Sequence, residues 1–469
     1  MNESKFHSVR LDREKCMGCT NCLKRCPTEA IRVRGGRAHI IDERCIDCGE
    51  CIRVCDHHAK YAQTDPLSVI EQFKYKIALP APSLYGQFKR QISREQILEG
   101  LLRIGFDDVY EVAAGADIVT RALRENMRSL TPDRYPVISS ACPVIVRLIR
   151  VRFPELISHI ADIRQPMEVA AMVARSEFCK KNRVDPKEVG CFFITPCAAK
   201  VTAIRNPMTI SHSALDGAIS MIEIYGLLAS RMKNLNFHVG RSASTAYGVG
   251  WANSGGEASA VCPENSMAVD GIENVIRVLE EIENNKLRNL MFFEGAACTG
   301  GCVGGPLTFE NNYVARNAIR ALMGGCDQTH PDAAVESSYL NKFNLYTDRS
   351  VTPNSVMKLD DDLVEAMRKM EEMEAIVRKL PGYDCGSCGS PTCRTFAEDI
   401  VRGYCTQMDC IHILKDQLKI MAQKMVELVE EPDMAVVIVM DISNTMNSGF
   451  GSSTRYGAAM EAAESFLDS

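Results

Sequence analysis

The residues best suited to chemistry in this 469-residue chain are its 21 cysteines. Two runs near the N-terminus, 16–26 and 45–55, share the spacing Cys-x2-Cys-x2-Cys-x3-Cys. A tight loop of this kind aims three thiolates at one metal centre, and Gly18 and Gly49 reduce crowding beside it. The spacing predicts metal binding. A pair of iron–sulfur clusters is the main interpretation, and a pair of zinc knuckles is the alternative.

The two runs resemble the bacterial ferredoxin motif, and Pro27 follows the first of them. In that motif, three thiolates of one run hold one [4Fe-4S] cluster, and the fourth crosses to the other cluster. The resemblance assigns the first cluster to Cys16, Cys19, Cys22 and Cys55, and the second to Cys45, Cys48, Cys51 and Cys26. Asp56 stands where the second run would usually have a proline. Residues 1–70 are therefore predicted to form an α+β bacterial-type ferredoxin domain.

Three more cysteine segments follow strand-like runs in the middle of the chain: Ser139-Ser-Ala141-Cys142-Pro143, Thr195-Pro-Cys197-Ala-Ala-Lys200 and Glu294-Gly-Ala-Ala-Cys298-Thr-Gly-Gly-Cys302-Val-Gly-Gly305-Pro306. Taken singly, each cysteine could be an ordinary buried thiol. The glycines of the third segment could form a plain loop, or they could allow a bulky cofactor to approach the backbone. Taken together, four thiolates from three loops would complete one more [4Fe-4S] cluster.

The elements that must position these segments alternate along the chain. Strand-like runs (KIALPAP, DDVYEVA, YPVISSAC, GCFFITPC, NLMFFEG) are interspersed with helix-like runs (REQILEGLLRIGF, ALDGAISMIEIYGLLASRM, GIENVIRVLEEIENN). This alternation predicts an α/β domain with mostly parallel sheets over residues 75–345. Ligands of such sheets bind at the carboxyl ends of the strands, which is where the three cysteine segments lie.

The three segments resemble the signature patterns TSCCP, PCxxK and CxGGCxxGG of [FeFe]-hydrogenase, in order and separation. The resemblance implies an H-cluster, in which a [4Fe-4S] cube joins a two-iron subcluster carrying CO, cyanide and azadithiolate. It implies that the cube is held by Cys142, Cys197, Cys298 and Cys302. It also implies that Cys302 bridges to the two irons and that Lys200 donates to a cyanide ligand, because a fixed ammonium suits an anionic ligand.

Three features depart from the family pattern, and two of them concern proton supply, the relay cysteine and the acidic pair. Ala141 stands in place of the proton-relay cysteine, and Ala296 in place of a methionine. The acidic pair expected upstream is not evident in the stretch 120–125. This pattern resembles the slow or sensory subgroup of the family. The alternative is that a leftover thiol such as Cys191 or Cys262 fills the missing role.

The C-terminal third begins with a charged amphipathic helix predicted over 360–380. It leads into a motif that resembles a small helical [4Fe-4S] domain, predicted within 355–430, with Cys385, Cys388, Cys393 and Cys410 as its ligands. Cys405 competes with Cys410 for the fourth position, and zinc is the alternative metal. The cysteines without an assigned role are expected to be plain buried thiols: Cys179, Cys191, Cys262, Cys326 and Cys405.

A second helix is predicted over 411–430, and the tail, 431–469, has a pattern of its own. An apolar strand predicted over 434–440 is followed by Asp441, Ser443 and Thr445. This pattern resembles the start of a von Willebrand factor A domain, whose hydroxyl and carboxylate ligands suit Mg²⁺. The alternative is a turn that caps a helix through serine or threonine.

The charge and the hydropathy of the sequence limit the classes of function that the protein can have. The net charge of −6 does not favour nucleic-acid binding. The N-terminus lacks the apolar core of a signal peptide, and no stretch reaches the ~20 apolar residues of a membrane span, so a cytoplasmic protein is expected.

The prediction is an [FeFe]-hydrogenase-type oxidoreductase, slow or hydrogen-sensing, with four [4Fe-4S] clusters including the H-cluster cube. Its implied partners are H₂ and protons, a ferredoxin or another redox protein, hydrogenase maturation proteins and, if it is a sensor, a signalling partner. One alternative is a hydrogenase-like iron–sulfur protein without the two-iron unit, acting in cluster assembly or electron transfer. The other is a hydrogen-sensing signalling module.

Overall fold

The computed structural model describes residues 6–89, 91–231 and 244–428, together with 449–450, 453–454, 457 and 460–461. Asp441, Ser443 and Thr445, the residues likened to a von Willebrand factor A site, lie outside the described residues. The strand predicted over 434–440 lies outside them as well. The resemblance of this tail to a von Willebrand factor A domain and its alternative, a turn that caps a helix, therefore both stay predictions.

Short strands and helices alternate through the described chain. The strands are β1 (Val9–Leu11), β2 (Ile31–Arg34), β3 (Arg37–Ile40), β4 (Lys60–Ala62), β5 (Tyr75–Pro80), β6 (Asp108–Val109), β7 (Val137–Ile138), β8 (Val189–Thr195), β9 (Gly217–Ser220), β10 (Ser266–Asp270), β11 (Phe292–Ala296), β12 (Gly449–Phe450) and β13 (Ser453–Thr454). The helices are α1 (Asn21–Lys24), α2 (Glu50–Arg53), α3 (Arg94–Ile104), α4 (Val112–Met127), α5 (Pro143–Arg152), α6 (Pro166–Asn182), α7 (Ala198–Arg205), α8 (Met221–Arg231), α9 (Ala246–Gly250), α10 (Gly256–Val261), α11 (Ile272–Glu283), α12 (Asn312–Met323), α13 (Pro331–Ala334), α14 (Ser337–Lys342), α15 (Leu363–Lys379), α16 (Cys393–Val401) and α17 (Ile411–Leu428). Within the described ranges, none of these helices has the length and apolar character needed to cross a membrane.

Two compact units divide the chain. The first comprises Met1–Arg10, Cys45–Gly49 and Ala62–Ser355, and the second comprises Leu11–Arg44, Glu50–Tyr61 and Val356–Ser469. The first unit holds the three middle cysteine segments and part of the second N-terminal run. The second unit holds the rest of both N-terminal runs and the C-terminal motif. The finer division into four domains stays a prediction.

Two parallel sheets form the framework of the first unit. One has the strand order β6-β5-β8-β9 and the other has the order β10-β11-β7. Every pairing within both sheets is parallel. Helices α4 and α6 pack against each other, and α6 also packs against β8. This arrangement confirms the predicted α/β class with mostly parallel sheets.

The sequence explains these elements locally. Strand β8, VGCFFIT, is buried along its whole length, as expected of an apolar strand in a parallel sheet covered on both faces. In α11, the buried residues from Ile272 to Ile282 recur every three or four positions, which is the pattern of a half-buried helix. Helix α3 begins with a capping box, in which Ser93 and Gln96 each accept a hydrogen bond from the other's backbone N–H.

Two predicted elements are wrong in detail. The run ALDGAISMIEIYGLLASRM is predicted to be helical, but Gly217–Ser220 forms strand β9 and helix α8 begins only at Met221. Strand β9 pairs with the buried strand β8, so sheet pairing outweighs the helical pattern at this point. DDVYEVA is predicted to be a strand, but β6 covers only Asp108–Val109 and α4 already begins at Val112.

The second unit joins the hairpin of β2 and β3 to C-terminal helices. Helices α15 and α17 correspond to those predicted over 360–380 and 411–430. Asp399 in α16 accepts hydrogen bonds from Arg32 Nε at 2.6 Å and from Arg34 Nη2 at 3.0 Å, and Arg44 pairs with Glu398. Because buried charges must be paired, these contacts fix α16 against the N-terminal part of this unit.

Candidate functional site

One cleft in the first unit brings the three middle cysteine segments together. It encloses about 970 Å³, including space that opens to solvent. Its lining includes Lys200, Ala141 and the four cysteines predicted for the cube: Cys142, Cys197, Cys298 and Cys302. The cleft thus gathers every residue that the hydrogenase resemblance assigns to the active centre. The roles of these residues as ligands stay predictions.

The carboxyl ends of three parallel strands supply the segments. Strand β7 ends four residues before Cys142, β8 ends two residues before Cys197, and β11 ends two residues before Cys298. Cys142 is the N-cap of α5, and Cys197 is the N-cap of α7. The partial positive charge at a helix N-terminus favours a thiolate at both positions.

Close backbone contacts hold the third segment against its neighbours. A Cβ at Gly305 would overlap the carbonyl oxygen of Pro196, in the second segment. A Cβ at Gly49 would overlap the ring of Pro306, and Gly49 also has a φ of +77°. Only glycine fits both contacts. The third segment therefore packs directly on the second segment and on the loop that carries Gly49.

Burial and nearby sulfurs set the charges in the cleft. Burial raises the pKa of Cys142 to about 11, and it also raises the pKa of Cys197 well above its ordinary value. Burial alone would lower the pKa of Lys200, but the sulfurs of Cys302 and Cys197 outweigh it, and the pKa is raised. Lys200 is therefore a fixed cation. A coordinated metal would hold the thiols as thiolates and give this cation an anionic partner.

Three buried polar atoms on residues that line the cleft have no hydrogen-bond partner within the described ranges: Ser83 Oγ, Gln165 Oε1 and Asn253 Oδ1. Buried polar atoms in proteins are nearly always satisfied, so these atoms indicate that a polar group completes the cleft. A cluster with anionic ligands would satisfy Lys200 and the hydroxyl of Ser83 together. The residues present therefore fit the predicted H-cluster.

Two buried carboxyl groups also line the cleft, and the sequence analysis did not identify them as functional. Glu257 and Glu294 are 5% and 6% exposed. Glu257 Oε2 accepts a hydrogen bond from Ser139 Oγ at 2.5 Å, and Glu294 accepts from the backbone N–H groups of Gly255 and Ala258. Burial raises the pKa of both groups, and the charge of Glu294 raises that of Glu257 further. These two acids can therefore hold a proton near neutral pH.

Ala141 lines the cleft beside this pair. Its backbone N–H donates to Ser139 Oγ at 3.2 Å, and that hydroxyl in turn donates to Glu257. Neither Cys191 nor Cys262 belongs to the described lining of the cleft. Cys191 lies in the buried strand β8 instead. The structure therefore offers the Ser139 hydroxyl and the Glu257 carboxyl group, and not Cys191 or Cys262, in place of the missing thiol.

A buried carboxylate, Asp47, ties the loop 45–49 to two helices that begin in the cleft. Thr202 Oγ1 of α7 donates to Asp47 at 2.9 Å, Arg147 Nη1 of α5 lies 3.5 Å from it, and His7 Nδ1 lies at 3.0 Å. Burial alone would raise the pKa of Asp47, but the hydrogen bond and charge of His7 and the charge of Arg147 lower it. The loop therefore carries an ionised anchor that fixes its position.

Two small cavities in the second unit collect cysteines. One is lined by Cys16, Cys19, Cys22 and Cys55, and the other by Cys385, Cys388, Cys393 and Cys410. Cys405 is outside the described lining of the latter, and its Sγ faces the carbonyl oxygen of Phe396 at 4.0 Å. The remaining predicted set, Cys45, Cys48, Cys51 and Cys26, is divided between the two units, so that cluster stays a prediction.

Family models match all three portions of the chain that carry these cysteines. The model of the iron-only hydrogenase large subunit, C-terminal domain, matches residues 74–267 and 259–306. Residues 74–306 belong to the iron-only hydrogenase family. A 4Fe-4S dicluster domain model matches residues 8–56, and an Fe-S cluster model matches residues 380–412. The chain is thus a hydrogenase-like iron–sulfur protein, and its predicted recognition is confirmed at this level.

Relatives of the hydrogenase domain include enzymes and assembly factors. The periplasmic [Fe] hydrogenase large subunit of Nitratidesulfovibrio vulgaris is 29% identical over 215 residues, 42% of this chain and 51% of that protein. Iron hydrogenase 1 of Clostridium pasteurianum is 22% identical over 311 residues, 61% of this chain and 53% of that protein. The cytosolic Fe-S cluster assembly factor nar1 of Aspergillus flavus is 30% identical over 114 residues, 23% of this chain and 20% of that protein. The chain spans about half the length of the two curated hydrogenases.

Among solved structures, the apo [FeFe]-hydrogenase of Chlamydomonas reinhardtii is similar at a TM-score of 0.47 and 16% identity. The match covers 60% of this chain and 92% of that one.

Proposed function

We propose that the protein is an [FeFe]-hydrogenase-type oxidoreductase that interconverts protons and H₂ slowly, in the manner of a hydrogen sensor. The observation that carries the proposal is the single cleft that combines four cysteines, a fixed ammonium and two buried carboxyl groups that hold protons near neutral pH. Reversible H₂ chemistry needs a redox cofactor and a proton source together, and the cleft offers residues for both.

We assign the cube to Cys142, Cys197, Cys298 and Cys302, and Cys302 would also hold the two-iron subcluster with CO, cyanide and azadithiolate. When bound, this cofactor would supply the H–H bond chemistry and the redox chemistry. The chain's own contribution is to bind and orient the group. Lys200 would donate a charge-assisted hydrogen bond to a cyanide ligand of this group, and the hydroxyl of Ser83 is available as a second donor.

Proton supply is assigned to Glu257, Ser139 and Glu294. A methyl group at position 141 cannot carry a proton, but the Ser139 hydroxyl bonded to Glu257 lies two residues away in the same loop. The proton would rest on a Glu257 carboxyl oxygen and pass through the Ser139 hydroxyl. A route through a hydroxyl and a weakly acidic carboxyl, without a thiol beside the cofactor, suits slow turnover.

Electron supply is assigned to the ferredoxin clusters. The loop 45–49 carries Cys45 and Cys48, packs on Pro306 through Gly49 and is anchored by Asp47 to helices that begin at the cleft. These contacts support electron exchange between the cube and the loop that carries Cys45 and Cys48. With the first ferredoxin cluster and the C-terminal cluster, the protein would hold four [4Fe-4S] clusters.

A second candidate is a hydrogenase-like iron–sulfur protein without the two-iron unit, acting in cluster assembly. The similarity to nar1 favours it, because that relative is an assembly factor that matches 114 residues of this chain. The acid pair in the cleft favours the hydrogenase, because H₂ chemistry needs a proton source beside the cofactor and holding a cluster does not. Turnover with H₂ separates the two candidates.

The test is H₂ evolution by anaerobically reconstituted full-length protein after loading by hydrogenase maturation proteins. Slow evolution is expected from the native protein and none from Cys302→Ser. Cys262→Ser, a half-buried thiol outside the described lining of the cleft, is the matched control and should keep the native rate. Native protein that assembles its [4Fe-4S] clusters but takes up no two-iron unit and evolves no H₂ would favour the assembly function instead.

The cellular partners belong to the proposal as well. A ferredoxin or another redox protein would exchange electrons with the clusters, and a signalling partner would read the redox state in a sensor. The cytoplasmic location stays a prediction.

A further inference from the structure

A buried lysine in the second unit has a charge that the described structure does not satisfy. Lys60 begins strand β4 and is 3% exposed. Its Nζ is shielded from solvent and has no hydrogen-bond partner within the described residues. A buried ammonium without a partner is strongly unfavourable. The position of Lys60 therefore indicates an anionic group beside it.

The residues around Lys60 indicate that this anionic group is the cluster assigned to the first ferredoxin site. Lys60 lines the cavity of about 330 Å³, including space open to solvent, whose walls carry Cys16, Cys19, Cys22 and Cys55. Lys60 and the cysteines assigned to the first ferredoxin cluster therefore share one cavity, so the ammonium acts electrostatically on the group that these sulfurs would hold.

Lysine side chains usually keep their ammonium in water even when the stem is buried. Lys15, beside Cys16, follows that rule with a side chain that is 61% exposed. Lys60 does not follow it. Its charge is held where the local dielectric is low, so screening by water and salt is weak.

We propose that Lys60 is a tuning residue that raises the reduction potential of the first ferredoxin cluster and makes that cluster an electron acceptor within the relay. A [4Fe-4S] cluster with four thiolates carries a charge of about −2 when oxidised and −3 when reduced. One electron, supplied by the second ferredoxin cluster, enters, and no bond breaks and no proton moves. The buried ammonium stabilises the more negative state, so reduction becomes more favourable.

This inference rests on the cluster assigned to Cys16, Cys19, Cys22 and Cys55 in the proposed function. It also gives the direction in which electrons move between the clusters. Electrons released by H₂ oxidation would collect on the first cluster. That behaviour suits a protein that registers hydrogen through the redox state of an accessory cluster.

The test is a redox titration of the full-length protein followed by electron paramagnetic resonance, in which the signal lost in Cys19→Ser identifies the first cluster. Lys60→Met should shift the reduction equilibrium of this cluster at least tenfold towards the oxidised state, which is about 59 mV for one electron. Lys60→Arg should restore the native equilibrium within threefold. Lys15→Met, which removes an exposed charge beside Cys16, should change it by less than twofold.

Lys60→Gln provides a second neutral variant if Lys60→Met does not assemble its clusters. An intact first-cluster signal with an unchanged midpoint in either neutral variant would overturn the role of Lys60 and leave the cluster assignment standing. If the native protein lacked a signal that disappears in Cys19→Ser, the cluster assignment itself would fall, and the role of Lys60 with it. The readout is independent of H₂ turnover, so it does not depend on loading of the two-iron unit.

Discussion

Replacement of Glu257 by glutamine tests the proton route through the cleft. The amide has nearly the same shape as the carboxyl group, and its oxygen can still accept the hydrogen bond from Ser139 that Glu257 accepts at 2.5 Å. The variant therefore keeps the packing of this buried position. It removes only the proton that Glu257 holds because burial raises its pKa.

The expected loss follows from the position of the acid. A general acid within hydrogen-bond reach of the reacting group contributes ~10²–10⁴-fold to the rate. Glu257 acts through Ser139 and not by direct contact, and Glu294 remains as a second acid. We therefore expect a loss of rate at the lower end of this range. Glu257→Gln should slow H₂ evolution about 10²-fold, or about 2.7 kcal/mol of activation free energy.

The assay is H₂ evolution against pH with equal loading of the two-iron unit. Because the acid form of Glu257 is the proton donor, the native rate should fall as the pH rises through the raised pKa of the pair. This fall of the rate with rising pH should be weaker in Glu257→Gln. Asp117→Asn is the matched control, because Asp117 is a buried acid whose pKa burial raises to about 6 and which lies outside the described lining of the cleft. A Glu257→Gln rate within twofold of native, with the same fall at rising pH, would refute the route.

Three further outcomes are expected. Ala141→Cys should raise the rate of H₂ evolution at matched loading, and a variant no faster than native would mean that position 141 does not limit proton delivery. Asp399→Ala leaves the buried Arg32 without its 2.6 Å partner and should lower the free energy of unfolding by about 3–5 kcal/mol. Urea unfolding measures this loss, which should stay below about 1 kcal/mol for the exposed Glu365→Ala. Cys388→Ser should remove one cluster's paramagnetic signal and leave the others, whereas loss of several signals would contradict a separate C-terminal cluster.

Much of the framework could be predicted from the sequence because its signals are local. The spacing of the two cysteine runs specifies loop geometry within a few residues, and β8 is a continuous apolar run that suits only a buried strand. The three middle segments follow strands whose carboxyl ends meet, so the parallel topology brings Cys142, Cys197 and Cys302 to one cleft. The spacing of the cysteines and the pattern of the strands were therefore sufficient to predict that these cysteines lie close together.

The charged side chains that complete the sites could not be predicted from the sequence, because their roles depend on whether the fold buries them. Glu257 lies in a polar stretch that is typical of an exposed surface. Only the folded structure shows that it is buried beside Ser139. A signal existed for Glu294, a single acid within the apolar run NLMFFEGAAC. Lys60 and Asp47 are likewise unremarkable in sequence, and their roles follow from partners far away in the chain or from the lack of any partner within the described residues.

The proposed hydrogenase function requires that this cleft holds a two-iron unit that reacts with H₂. Infrared spectroscopy of the loaded full-length protein measures this directly, because CO and cyanide ligands absorb where protein does not. The native protein should show these bands, the bands should shift when argon is replaced by H₂, and Cys302→Ser should lack them while the ferredoxin clusters remain. Absence of the bands from loaded native protein, or bands that survive unchanged in Cys302→Ser, would contradict the account.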